Sequence, residues 1–138
     1  MSLFIDASAL VAMITNEPER DLFRDRVLTE GDPLWSAMAC WEAVSAVRRR
    51  GELTVDAARE LVMQSADFFS LRLVSVGQRE LSAALDAYQT YGRNSGHPAK
   101  LNMGDCFGYA VAAEAALPIL FKGDDFSRTD LPTALPRS

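Results

Sequence analysis

The sequence predicts a three-layer α/β/α domain built on a mostly parallel central sheet, and three observations carry this. Short strand-prone runs, Leu3-Phe4-Ile5, Leu34-Trp35-Ser36, Leu71-Arg72-Leu73-Val74-Ser75-Val76 and Pro118-Ile119-Leu120-Phe121, are separated by longer stretches of helical periodicity. Strands joined through helices need right-handed crossovers, which lay the strands parallel and cover both faces of the sheet. The first run passes directly into Asp6 and then Ala7, Ser8 and Ala9. A carboxylate therefore falls at the carboxyl end of a buried strand, the edge where open α/β sheets bind ligands.

Taken in order, residues 7–14 read as a short helix, broken by Thr15-Asn16-Glu17-Pro18. Residues 17–30 form a second helix with Leu22, Phe23, Val27 and Leu28 on its packing face. Gly31-Asp32-Pro33 ends it. After the short strand at Leu34, a helix over residues 38–50 packs through Ala39, Ala43, Val44 and Val47 and closes on Gly51 as a C-cap. Thr54 caps the next helix, which runs to residue 69 with Ala58, Leu61, Val62 and Ala66 inward. The run over 71–76 is the clearest strand after the first, followed by a turn at Gly77 and a helix over 80–91. Residues 92–100 collect Gly, Asn, Ser and Pro into the longest loop. Asn102-Met103-Gly104-Asp105 opens an apolar helix reaching residue 116, and the last buried strand, 118–121, ends at Lys122-Gly123-Asp124-Asp125-Phe126. Leu131, Leu135 and two prolines are expected to add a short edge strand.

A chain of 138 residues can bury one core, so a single domain over 1–138 is expected. Hydrophobic residues at 49% and charged residues at 24% match a globular protein. No apolar run approaches the about 20 residues of a membrane span, and no secretory signal opens the sequence, which together set a cytoplasmic location as the expectation. Cys40 and Cys106 make neither a disulfide framework nor a CxxC motif. His97 is the lone histidine, so chemistry by a histidine pair is excluded. The formal net charge of -5 argues against non-specific coating of nucleic acid, which needs concentrated Lys and Arg.

The acids carry the chemistry. Asp6 follows the first strand and Asp124 with Asp125 follows the last, so all three belong to one edge of the sheet. Glu42 shares its helix face with Met38, Ala39, Ser45 and Ala46, a poor setting for an unpaired charge. Asp105 opens the apolar helix. Each acid also has an ordinary structural role open to it. Asp6 can cap a helix, Asp105 can pair with Asn102 in a capping box, Asp124 and Asp125 suit a turn, and Glu42 can lie at an exposed helix edge. In combination they say more, because converging carboxylates raise each other's pKa unless a cation holds them. Oxygen donors without His or Cys suit Mg²⁺ or Mn²⁺. Such an ion activates water and stabilises charge during in-line displacement at phosphorus, so the residues point to phosphodiester hydrolysis.

Asp6-Ala7-Ser8-Ala9, Trp41-Glu42-Ala43, the run from His97-Pro98-Ala99-Lys100 through Leu101-Asn102-Met103-Gly104-Asp105-Cys106-Phe107, and Phe121-Lys122-Gly123-Asp124-Asp125-Phe126 with Thr129-Asp130 resemble PIN-domain ribonucleases, and more narrowly the VapC toxins of VapBC toxin–antitoxin pairs. The resemblance covers essentially the whole chain. It implies a Rossmann-like PIN fold and a Mg²⁺- or Mn²⁺-dependent endoribonuclease, homodimeric, whose RNA-cutting site is neutralised by a segment of a small VapB-type antitoxin. Asp6, Glu42 and Asp105 match the family's metal-binding acids, and Asp124 is preferred as the fourth with Asp125 as its rival. Ser8 matches the position whose hydroxyl orients the first acid. Lys122, with Lys100 and the Arg48-Arg49-Arg50 triplet, is a candidate basic rim for RNA, although cations at a helix C-terminus also simply complement its dipole.

Other readings stay open at this point. A non-catalytic interaction module would use an apolar surface near Trp35, Trp41, Phe68 and Phe69, although such aromatics are more often core. A phosphatase would use Asp6 as a covalent nucleophile, but Ser8 stands where the haloacid-dehalogenase pattern has its second acid. An RNA-processing PIN nuclease would share the site without being a toxin.

Overall fold

The computed structural model describes residues 2–134. Four parallel strands, β1 (Ser2–Ile5), β2 (Asp32–Ser36), β3 (Arg72–Val74) and β4 (Ile119–Leu120), form one sheet in the order β3-β2-β1-β4. The connecting helices are α1 (Ala7–Ile14), α2 (Arg20–Thr29), α3 (Ala37–Gly51), α4 (Val55–Phe69), α5 (Gln78–Tyr91) and α6 (Met103–Glu114), with a 3-10 turn at Phe126–Arg128. Leu3, Phe4 and Ile5 of the central strand are buried, as strands covered on both faces require. From β1 the chain winds outward through β2 to β3, then returns to place β4 on the other flank of β1. That reversal is a topological switch point, and in such sheets it opens a crevice at the carboxyl ends of the flanking strands. Asp6 and the 121–126 segment leave the sheet there.

Several elements differ from the sequence expectation for identifiable reasons. The second helix starts only at Arg20, beyond Pro18, and buries Phe23 and Val27, while Leu22 and Leu28 are 57% and 55% exposed. At about 100° per residue these two leucines flank the Phe23–Val27 stripe rather than join it. Gly51 is the last helical residue of α3, and Glu52 takes the left-handed cap conformation instead, with φ 52°. Leu61 lies at the exposed edge of α4. The run over 71–76 contributes only the three residues of β3, because β3 is an outer strand with one open flank. It is held by Arg72, which grips Asp32 through Nε at 3.0 Å and a terminal nitrogen at 2.8 Å, while the Ser2 hydroxyl donates to the same carboxylate. Arg72 thereby holds the Asp32 carboxyl down to about 2. In α5 the Gly77 N–H donates to the Glu80 carboxylate at 2.7 Å, so that helix starts at Gln78. The expected tail strand is one bridge, Thr133 to Ile119, and Leu135 lies outside the described residues.

Two features fix the elements around the crevice. The Ser36 hydroxyl, in a residue only 1% exposed, accepts the Ala39 N–H at 3.2 Å and caps α3. The 92–101 loop is tied shut where the Leu101 N–H donates to the Tyr91 carbonyl and the Arg93 N–H to the Leu101 carbonyl, which sets the start of α6. Among the described residues no helix is long and apolar enough to cross a membrane. Ser36→Ala strands a buried N–H as well as removing a cap, so it is expected to cost about 1–2 kcal/mol in urea unfolding. Thr54→Ala, at the exposed cap of α4, is expected to cost no more than about 1 kcal/mol.

Candidate active site

Asp6 is the N-cap of α1 and the buried end of β1 at once, with 7% of its surface exposed. Its backbone N–H donates to the Leu120 carbonyl of β4 at 3.0 Å, so the register of the sheet places it. Its Oδ2 accepts the Ser8 N–H at 3.0 Å and the Ser8 hydroxyl at 2.5 Å. The Ser8 oxygen in turn accepts the Lys122 N–H at 3.0 Å, which joins the segment after β4 to the first acid. Burial raises the Asp6 pKa, against the Ser8 hydrogen bonds and helped by the charge of Asp125.

Asp105 and Glu42 approach from two helices. Asp105 accepts the Asn102 N–H at 3.1 Å and returns its own N–H to the Asn102 side chain at 2.8 Å, the capping box the sequence suggested. Burial, abetted by the charges of Asp6 and Asp125, pushes its carboxyl up to about 6. Glu42 projects from α3 onto α6, and burial with the charges of Asp6 and Asp105 pushes it up to about 7. The approach depends on Gly104, because a Cβ there would overlap the Glu42 carboxylate. One turn on, a Cβ at Gly108 would lie 3.3 Å from Asp6 Oδ1. Sequence reasoning passed over both glycines. Their signal was visible: two glycines four residues apart inside an apolar helix, each about 1 kcal/mol worse than Ala, need a packing reason.

The remaining candidates divide. Asp125 is the acid of the 121–126 segment whose charge acts on Asp6 and Asp105. Asp124 is exposed, and what it gives the segment is its carbonyl, which accepts the Ser127 hydroxyl at 2.7 Å. Lys122 has its ammonium engaged by Glu17 and Glu19 rather than open at the rim. Arg50 also binds Glu17, whereas Arg48 and Arg49 are exposed, Arg49 donating to Ser45 at 2.8 Å. Lys100 is exposed and held in a left-handed turn, φ 50°. His97 uses its ring Nδ1 to accept the Ala99 N–H at 3.1 Å. Trp35 is core, while Trp41 and Phe68 are 70% and 67% exposed.

The residues fit a hard divalent cation in chemistry more than in closeness. Among the described residues no three metal-ligating side chains form a ready-made cluster. Yet the charge of Asp6 reaches Glu42 and Asp105, that of Asp105 reaches Glu42, and that of Asp125 reaches Asp6 and Asp105, and all four offer carboxylate oxygens. Mg²⁺ suits such a spread set, since it keeps several waters and takes few protein ligands.

The PIN-domain family model matches residues 3–131, and the chain belongs to the PIN-domain family. Its curated relatives narrow this to the VapC ribonucleases. A VapC ribonuclease of Rhizobium meliloti is 38% identical over 140 residues, spanning 93% of this chain and 98% of the relative. Ribonuclease VapC30 of Mycobacterium tuberculosis is 38% identical over 135 residues, spanning 97% and 100%. A VapC ribonuclease of Mycobacterium bovis is 33% identical over 132 residues, spanning 96% and 98%. The fold is shared with Mycobacterium tuberculosis VapC20, a toxin that cleaves the sarcin-ricin loop, at TM-score 0.71 and 12% identity over 94% of this chain and 95% of that one. It is also shared with a chain from a Klebsiella pneumoniae toxin–antitoxin complex, at TM-score 0.64 and 13% identity over 91% and 90%.

Raised carboxyl pKa values fix the sign of the pH response. Between the ordinary glutamate value of 4.5 and about 7 the folded protein keeps a proton on Glu42 that the unfolded chain has released. Stability of the metal-free protein is therefore expected to fall as pH rises through that window. Glu42→Gln is expected to flatten the slope and to stabilise the protein at neutral pH by on the order of 1 kcal/mol, discounted for the carboxylate's partial access to water. Urea titrations in chelator across the window check both, and a wild-type stability that climbs with pH would contradict them. Gly104→Ala is expected to keep or raise helix stability while displacing Glu42, seen in thermal melts as an unchanged or higher Tm together with loss of that same pH slope.

Proposed function

We propose that this chain is a divalent-metal-dependent endoribonuclease acting as the toxin of a toxin–antitoxin pair. The observation that supports it best is the coupling of Asp6, Glu42 and Asp105, carboxylates from three separate elements gathered and desolvated at the switch point of the sheet. Mg²⁺ or Mn²⁺ bound there would supply Lewis acidity toward water and phosphate in an in-line displacement. Asp6, Glu42 and Asp105 are the residues that would hold it, and the charge reach of Asp125 favours it over Asp124 as the fourth.

The chain's own groups set the stage for this reaction. Ser8 fixes the orientation of Asp6, and the Asn102 N–H fixes that of Asp105. Glu42, poised near neutrality, is the group that gives up a proton as cation binds, so metal affinity should rise with pH. Arg48 and Arg49 are exposed, Arg49 held by the Ser45 hydroxyl, and can meet RNA phosphates, whereas Lys122 can do so only by leaving Glu17 and Glu19. RNA as substrate goes with the expected cytoplasmic location.

A small antitoxin is the proposed protein partner, supported by the relatives' VapC names and by the structural neighbour's origin in a toxin–antitoxin complex. Exposed Trp41, in a groove it shares with Val44, Val55, Met63 and Leu73, supports a surface that protein covers. Leu81, Leu85 and Tyr88, exposed at i, i+4 and i+7 on α5, support a homodimer.

Purified protein incubated with cellular RNA in Mg²⁺ or Mn²⁺ is expected to leave defined cut ends, detected by end sequencing, and Asp105→Asn is expected to leave none. Undiminished cutting by Asp105→Asn would sink the metal-site reading. Calorimetry with Mn²⁺ separates the two late acids: Asp125→Asn is expected to weaken binding and Asp124→Asn to preserve it.

A further inference from the structure

Two basic side chains from distant parts of the chain meet on one carboxylate beside the acidic site. Asn16, at φ 61°, turns the backbone out of α1 in the left-handed conformation that Asn tolerates, and delivers Glu17 toward the end of α3 and the start of the segment after β4. There Glu17 Oε1 accepts from Arg50 and Oε2 from Lys122, while Glu19 Oε2 forms an ion pair with the same ammonium at 3.0 Å without accepting a hydrogen bond. The Glu17 side chain is only 16% exposed, and Lys122, with Arg50, holds its carboxyl below the ordinary range.

Lys122 has a second attachment. Its main-chain N–H donates to Ser8 Oγ at 3.0 Å, and the Ser8 hydroxyl donates to Asp6 Oδ2 at 2.5 Å. A hydroxyl has one hydrogen and two acceptor sites. With one acceptor site filled by the Lys122 N–H, rotation of that hydrogen away from Asp6 is restrained. Gripping the ammonium of Lys122 limits where its backbone can sit, and so limits where the Ser8 oxygen can sit.

We propose that Glu17 is a positioning residue for the acidic site, fixing the Asp6 carboxylate through Lys122 and Ser8. Its consequence for metal affinity rests on the metal-site reading above, but the link itself belongs to the metal-free protein and is tested there. Amide exchange by NMR is the direct probe. In metal-free Glu17→Gln, protection of the Lys122 amide is expected to fall toward its level in Ser8→Ala, with the amides of β1 and α6 unchanged. Lys122→Met, which keeps the N–H and loses the ammonium, is expected to do the same and serves if Glu17→Gln does not fold.

Mn²⁺ calorimetry reads the consequence. Glu17→Gln and Ser8→Ala are each expected to weaken affinity by about 10-fold, the lower end for residues that orient a ligand. The double variant should be no weaker than Ser8→Ala alone, because residues acting along one line are not additive. With RNA, Glu17→Gln is expected to lower kcat and leave KM unchanged. Full protection of the Lys122 amide in both Glu17→Gln and Lys122→Met overturns the proposal whatever the metal does, and so do additive losses in the double variant. Absence of Mn²⁺ binding by the wild type overturns the metal-site reading instead, and amide exchange then decides the link alone.

Discussion

A carboxylate closing the central strand of a sheet must be kept out of most of the water that would stabilise its charge, and the surroundings of Asp6 answer that constraint. Two hydrogen bonds from Ser8 reach one oxygen, the backbone N–H is tied to β4, and α6 presents a glycine where a side chain would press against the other oxygen. None of this removes the repulsion from Glu42 and Asp105, so the site carries a proton demand that a cation would relieve. Capping of α1 is compatible with a cation at Asp6, since the oxygen turned to Ser8 leaves the carboxylate a second oxygen.

The sixth helix shows the compromise most plainly. It opens with a capping box that satisfies its first N–H groups, yet carries glycine at 104 and 108, where alanine would make a better helix. Gly104 is present because a carboxylate from another helix passes over it. Packing across α3 and α6 is thus set by the room a charge needs as well as by apolar fit.

What could be read from the sequence was what is written locally. The Ile5-Asp6 junction, the Asn102–Asp105 box and the Thr54 cap each depend on residues within three positions, and each is in place. Spacing between strands and helices was enough for the parallel sheet. Less legible was whatever depended on distant partners. Glu17 looked like a turn residue because Arg50 and Lys122 lie 33 and 105 positions away. The choice between Asp124 and Asp125 depends on how the chain turns after Gly123, whose φ of 103° no pattern of hydrophobicity encodes. Leu22 and Leu28 looked inward because helical periodicity gives the direction of a face but not its width.

The acids whose charges reach one another here come from positions 6, 42 and 105, with Asp125 acting on the first and third, and the strand that leads into the Asp125 segment, β4, is made after all three of the others. During synthesis, a chain that has emerged as far as α5 has its first acid but neither its third nor β4, and domains assemble as units once their parts are available. The same topology that gathers the charges therefore orders their arrival: the carboxylates can stand together only after both α6 and β4 have been made.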